Sequence, residues 1–324
     1  SKVNIEGVNV ISNIKYRSNS IYKIFFWSPI VFLKNIHLFL FNKRTIYLLI
    51  SCRDPLCICI GILCILFKND FCIGTTLYKY DDEESLMKSS FSFIFRILLK
   101  NAKAFIIQSS LFLDKKSSLT NCFILPNGVD FDLLKKYSEN KIKKSPSNCI
   151  KLISFGRVSE RKNTLDILHI FNKLVTKNYP IKLILVGPYE DDIYYKKCLN
   201  FVRKNRICQK VIFTNYIQNP YKYLNDSDIY ISASSNEGIP NSILEAMVFG
   251  IPVILKKINI TTNLLLGKQL NEELSFSNVN QAVCKIEKLI NSFEYRSLIS
   301  QKCKSQVRNF QINKIIKKYM SILI

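Results

Sequence analysis

The feature that most constrains this chain is a repeated alternation. Aliphatic runs of strand length keep being followed by longer stretches with helical spacing of apolar residues. In the first part the strand-like runs are Val8–Ile14, Thr45–Ser51, Phe71–Thr75, Ala104–Gln108 and Cys122–Leu125. Helical patterns cover Lys23–Phe41, Leu56–Phe67 and Leu86–Lys100. A second series follows: strands Ile150–Phe155, Ile181–Val186, Val211–Thr214, Ile229–Ala233 and Pro252–Leu255, with helices Thr164–Thr176, Tyr194–Lys204 and Asn241–Phe249 between them. Two long helical patterns close the chain. Strands that are apolar throughout must be buried on both faces, which predicts α/β architecture with parallel sheets. The polar, aperiodic residues 137–148, with Pro146 among them, read as the linker between two such units.

Composition excludes several classes. With 48% hydrophobic and 22% charged residues the chain is globular, and only 9 Gly and 9 Pro in 324 residues leave no room for collagen-like or linker-type sequence. The 47 Lys and Arg against 24 Asp and Glu give a net charge of +23. Such a surface favours anionic partners, whether phosphates, nucleic acid or an acidic membrane face; it also fits a Lys-rich bias that merely solvates the surface. The 11 cysteines are odd in number, show no CxxC spacing and cluster in apolar segments, as expected of free thiols in a reducing cytosol. The apolar run Leu56–Phe67 is too short to span a bilayer, and no secretory signal opens the chain.

Common catalytic signatures are absent: there is no GxGxxG, no Walker loop, and only His37 and His169 for a hydrolase triad. Asp130/Asp132 and Asp226/Asp228 are Asp-x-Asp pairs that can chelate a cation, but such pairs also sit routinely at turns and helix starts.

Two stretches carry chemistry. In Ile229–Ile254 a strand enters a polar turn, then a helix through Pro240 that ends at Gly250 before another strand. A strand–turn–helix of this kind offers a positive helix terminus to an anion. Glu237 in the turn and Glu245 on the helix are carboxylates able to accept hydrogen bonds from vicinal hydroxyls; two solvated glutamates fit equally well. In Leu152–Asp166 another strand enters a loop carrying Arg157, Arg161 and Lys162, then a helix for which Asn163 is the expected N-cap and Asp166 the expected capping-box partner. Guanidinium and ammonium groups at a helix start suit a diphosphate, or form an ordinary basic loop.

Together these stretches resemble the retaining nucleotide-sugar glycosyltransferases of family 4. The order is Ser154-Phe-Gly-Arg157 to Lys162-Asn, then Leu183–Gly187, Val211–Ile217, Asp228–Ser234, and Glu237 with Glu245 in a Glu-x7-Glu spacing. Leu125-Pro-Asn-Gly-Val-Asp130 resembles the family's turn at the end of its first domain. The resemblance implies a GT-B fold of two Rossmann-like parallel-sheet domains facing a cleft, with the C-terminal helix returning to the first domain. The expected boundaries are 1–145 for the acceptor side, short of the family's first strand and Gly-rich loop, then 146–305 for the nucleotide-sugar domain and 306–324 for the final helix.

By the same resemblance, Arg157 and Lys162 would hold the donor diphosphate, Glu237 would contact the transferred sugar, and Glu245 the ribose. Gly156, Gly238, Ile239, Pro240, Asn241, Ser242 and Leu244 would line the donor site, and Tyr216 and Ile217 would lie near the base. Asn127 is an acceptor-side candidate. The resemblance implies no metal and no cofactor, because basic side chains and a helix dipole stabilise the leaving group. The implied partners are a UDP- or GDP-sugar and a glycan or lipid-linked acceptor in lipopolysaccharide, O-antigen or capsule synthesis, on the cytosolic face of the membrane. The aromatic, basic segment Lys23–Asn42 would touch that surface. This sequence departs from the family where Asn215 replaces a usual Gly, Ile239-Pro240 a usual Phe-Gly, and Leu77-Tyr78 a usual His. Two alternatives are a degenerate nucleotide-sugar binder and, from another class, a basic nucleic-acid-binding protein, for which no motif is present.

Overall fold

The structure, a computed structural model, describes residues 4–5, 8–9, 47–49, 55–75, 92–108, 121–138, 149–235 and 237–323. The expected helix Lys23–Phe41 with its basic aromatic face, His37, residues 139–148 of the linker and Leu77-Tyr78 lie outside these residues. Strands β1 (Asn4–Ile5) and β2 (Val8–Asn9) form a short antiparallel pair.

A four-stranded parallel sheet follows, in the order β3 (Tyr47–Leu49), β4 (Phe71–Thr75), β5 (Ala104–Ile107), β6 (Cys122–Ile124). Helices α1 (Pro55–Leu66) and α2 (Ser92–Asn101) make the crossovers. Right-handed crossovers between successive strands put both helices on one face. The period-2 alternation then explains why these strands are apolar at every position. Phe71, Ile73, Phe105 and Ile107 pack with Cys64, Leu98 and Leu99 on one side. Cys72, Ala104, Ile106 and Leu125 face the other side, where Tyr319 and Ile322 of the C-terminal helix cover them.

That helix reaches the first sheet along a short backbone seam. Val129 N–H donates to the Phe310 carbonyl (2.8 Å) and Ile312 N–H to the Val129 carbonyl (2.9 Å). Gly128 permits the approach, since a Cβ there would lie 2.9 Å from the Ile312 Cα. The expected return of the chain to its first unit is thus present.

The second sheet is six-stranded and parallel, ordered β12-β11-β10-β7-β8-β9, with β7 (Ile150–Phe155), β8 (Ile181–Val186), β9 (Val211–Phe213), β10 (Ile229–Ser232), β11 (Val253–Lys256) and β12 (Ser275–Phe276). From β7 the chain winds outward through α4 (Thr164–Thr176) and α5 (Asp192–Lys204), then returns to the other side of β7 and winds the opposite way through α7 (Asn241–Val248). Strand order therefore reverses between β7 and β10, and the loops after these two strands part to leave a crevice at their carboxyl ends. The α4 residues Ile167, Leu168, Ile170, Phe171 and Leu174 form its buried stripe. Cys64, Cys198 and Cys303 are free, buried thiols that burial pushes up to about 12, so they pack as small hydrophobes.

Two short helices stand outside the expected elements, α3 (Phe131–Ser138), whose last two residues enter the stretch read as linker, and α6 (Tyr221–Asn225). Two expectations need correction. The chain closes with four helices, not two: α8 (Asn259–Leu274), itself kinked into two segments at Gly267 (φ +68°), α9 (Val279–Asn291), α10 (Phe293–Val307) and α11 (Ile312–Leu323), with β12 between the first pair. Side-chain caps start the middle two, Asn278 accepting from Gln281 N–H (3.0 Å) and Ser292 from Tyr295 N–H (3.0 Å). Asn163, finally, makes no capping bond. It sits in the left-handed region (φ 47°) and its amide donates instead to the Ala233 carbonyl (3.0 Å), while Asp166 pairs with Lys256 (2.9 Å). Among the described residues no helix is long and apolar enough to cross a membrane.

Candidate active site

The crevice between β7 and β10 gathers the charged residues of both informative stretches. After β7 the chain turns at Gly156 (φ +150°), whose missing Cβ leaves room for the Lys162 side chain 3.3 Å away. Gly187, ending β8, is equally constrained: a Cβ there would stand 2.2 Å from the Gly156 carbonyl oxygen. The turn formed by Asn163 N–H donating to the Glu160 carbonyl (2.8 Å) brings Arg161, Lys162 and Asn163 to the loop that follows β10.

That loop is held at three points. Asn163 binds the Ala233 carbonyl, the Arg161 carbonyl accepts from Ser235 N–H (3.2 Å), and the side chains of Lys162 and Arg161 converge on Glu237. Lys162 Nζ contacts Glu237 Oε1, and Arg161 Nη1 lies 3.2 Å from the same oxygen. Glu237 is only 6% exposed. A carboxylate removed from water at this depth persists because two cations compensate it. Its own carbonyl accepts from the buried Thr261 hydroxyl (3.0 Å), which anchors the loop to α8.

Tyr230 completes the floor. It is buried in β10, donates to the Phe155 carbonyl (3.2 Å) and lies 3.0 Å from Ser242 Oγ at the start of α7. Burial pushes its phenol well above the usual tyrosine range. Gly156, Arg157, Lys162, Tyr230, Ser232 and Ser234 line the resulting pocket.

The other expected residues take different positions. Arg157 pairs with Glu190 (2.8 Å) at a half-exposed rim. Tyr216 is 75% exposed; it follows Asn215, which bridges Gly187 and so belongs to the same sheet edge. Asn215 adopts φ +59°, a conformation that glycine takes freely and asparagine tolerates best among other residues. Ile217 packs on the core. Gly238 and Ile239 are buried, Pro240 precedes α7 in extended conformation, and Asn241 is exposed at its first turn. Leu244 packs in the core. Glu245 is half-buried and hydrogen-bonded to the Tyr221 hydroxyl; burial raises its carboxyl above the usual range and the Tyr221 bond offsets part of that.

Across the cleft, Asn127 follows β6 and its amide donates to the Ile239 carbonyl (2.7 Å), while Gln108 at the end of β5 donates to Asn127 Oδ1 (2.6 Å). The first sheet thereby touches the Glu237 loop. One member of each Asp-x-Asp pair serves backbone structure: Asp130 accepts from Leu133 N–H (2.9 Å) at the start of α3, and Asp228 from Lys151 N–H (2.8 Å), which ties the start of β10 to β7. Sequence reasoning missed Tyr230, Tyr221 and Gln108. Only Tyr230 left a signal, as the one aromatic in the aliphatic run of β10.

Residues 136–306, more than half of the chain, match the glycosyl transferases group 1 family. The chain belongs to this family. An uncharacterized glycosyltransferase of Methanocaldococcus jannaschii is 31% identical over 144 residues, 43% of this chain and 34% of that one. The capsular polysaccharide biosynthesis glycosyltransferase CapM of Staphylococcus aureus is 23% identical over 215 residues, 65% of this chain and 56% of that protein. This group 1 chain thus spans about a third to a half of the length of these two relatives. The crystal structure of Anabaena HepE in complex with UDP superposes with a TM-score of 0.72 at 15% identity, covering 91% of this chain and 82% of that one. The likeness is one of fold, the GT-B arrangement of two parallel sheets about a cleft.

Proposed function

We propose that this chain is a retaining, nucleotide-sugar-dependent hexosyltransferase of family 4. It would move a sugar from a UDP- or GDP-sugar to a glycan or lipid-linked acceptor in surface polysaccharide synthesis. The observation that carries the reading is the convergence of Lys162 and Arg161 on the buried Glu237 at the switch point of the doubly wound sheet. That arrangement puts a hydroxyl-binding carboxylate beside cations suited to a diphosphate. The capsule enzyme among the relatives and the UDP complex among the fold neighbours support the donor and acceptor classes.

In this reading Lys162 and Arg157 take the diphosphate, and the Glu237 carboxylate accepts hydrogen bonds from the transferred sugar. As the anomeric C–O bond breaks, negative charge grows on the departing phosphate oxygen, where preorganised cations lower the barrier. The acceptor hydroxyl attacks from the same face and gives its proton to that oxygen, so no protein nucleophile and no metal are needed. Arg157 must first leave Glu190, an exposed pair worth about 1 kcal/mol or less. Glu245 and Tyr221 would hold the ribose, and Tyr216 with Ile217 the base. The basic surface would rest on the anionic inner face of the membrane.

A thermal-shift and calorimetric panel of UDP-, GDP- and ADP-sugars tests the reading. Stabilisation by one nucleotide class, lost in Lys162→Met, is the expected result. No stabilisation by any donor would sink it.

A further inference from the structure

Glu237 has two cationic partners, and only one of them is suited to meet the donor. Lys162 both lines the pocket and lies against Gly156, where the diphosphate would sit in the proposed function on which this inference rests. Its ammonium is compact and carries one charge, so a diphosphate oxygen and the Glu237 carboxylate would compete for it. If Lys162 were the sole partner, donor binding would strip a buried carboxylate of its compensation while bringing further negative charge beside it. Removing one partner of a buried pair is strongly unfavourable.

Arg161 resolves the conflict. Its guanidinium reaches Glu237 Oε1 at 3.2 Å, and it is Lys162, not Arg161, that lies against Gly156. Its position is fixed independently, because its carbonyl accepts from both the N–H (3.2 Å) and the hydroxyl (3.3 Å) of Ser235. One residue therefore grips the loop after β10 at Ser235 through its backbone and at Glu237 through its side chain. A planar guanidinium with five donors can keep the carboxylate paired while the ammonium turns toward phosphate.

We infer that Arg161 is a positioning residue: it holds the charge of Glu237 so that Lys162 is released to the donor diphosphate. It acts through Glu237, and that is what sets it apart from a direct phosphate ligand or from a purely structural side chain.

A double-mutant cycle read by UDP and GDP calorimetry tests this, using whichever nucleotide binds the unaltered chain. Arg161→Met should weaken binding about 10- to 100-fold. Arg161→Lys, which keeps a cation, should recover most of that loss. In a Glu237→Gln background, where there is no charge to hold, Arg161→Met should change affinity less than about 3-fold. Equal losses in both backgrounds would mean that Arg161 binds phosphate itself or only supports the fold, and would overturn the inference. So would unchanged affinity in Arg161→Met, or a Lys variant as weak as the Met variant. A native chain that binds neither nucleotide would overturn the functional reading first, and the inference with it.

Discussion

The two sheets present their carboxyl ends to the same cleft but equip them differently. The six-stranded sheet offers charge: Arg157, Arg161, Lys162 and the buried Glu237. Among the described residues, the four-stranded sheet offers neutral amides: Gln108 donates to Asn127, whose own amide reaches across to the Ile239 carbonyl. Charges in a partly desolvated crevice give large energies where leaving-group charge develops. Neutral amides fix distance and register at small cost. In the function proposed above, the difference among the described residues puts chemistry on one side and alignment on the other, and altering each side should separate the two.

The largest effect is expected on the charged side. Glu237→Ala should lower turnover about 10²- to 10³-fold, the usual loss for one preorganised electrostatic group. Circular dichroism should stay native, because Asn163 and Thr261 still hold the loop. Full activity would move the site elsewhere. On the neutral side, Asn127→Ala leaves the Ile239 carbonyl and the Gln108 amide without their partner. About 1–2 kcal/mol should be lost, a Tm lower by roughly 2–6 °C and kcat/KM reduced by about 10-fold. A loss as large as that of Glu237→Ala would show that the amide side also takes part in chemistry, and would break the comparison.

How much of this was legible depended on whether the determinant was local. Strand Phe71–Thr75 and helix Thr164–Thr176 fall where their apolar patterns put them, since burial on both faces of a strand and on one stripe of a helix is written in sequence order. Lys162 and Glu237 come together because strand–turn–helix punctuation brings the two loops to one sheet edge, while Arg157 from the same loop pairs with Glu190 instead. The partnership of Arg161 with Glu237 was not legible. It depends on the turn at Glu160–Asn163, with Asn163 left-handed and its amide on the Ala233 carbonyl, which brings the Arg161 loop against the loop after β10. The cap assigned to Asn163 failed for the same reason: its amide found a carbonyl 70 positions away instead of the helix N-terminus. The Gln108–Asn127–Ile239 chain crosses between sheets, and no local pattern encodes it. The break into four closing helices was written in Asn278 and Ser292, but caps inside a long helical pattern are easily read through.

The smallest effect sharpens the comparison inside the charged side itself, between two glutamates eight positions apart. Glu237 has cations; Glu245 has, among the described residues, the Tyr221 hydroxyl as its partner, and burial raises its carboxyl above the ordinary range. The folded state therefore holds the Glu245 proton more tightly than the unfolded chain does. That contribution to stability is fully present below the ordinary carboxylate value and is lost as pH rises through the raised one, so at neutral pH the ionised group costs stability. Glu245→Gln keeps the shape and an acceptor for Tyr221 without the charge. Its Tm at pH 7.5 should rise by about 2–4 °C, the gain should shrink as pH falls through the raised carboxyl value, and nucleotide affinity should drop if the carboxylate holds the ribose. Scanning calorimetry of both proteins from pH 4 to 8 measures the first two effects. A Tm difference that does not vary with pH would mean that burial does not raise the Glu245 carboxyl, and the contrast between the two carboxylates would be lost.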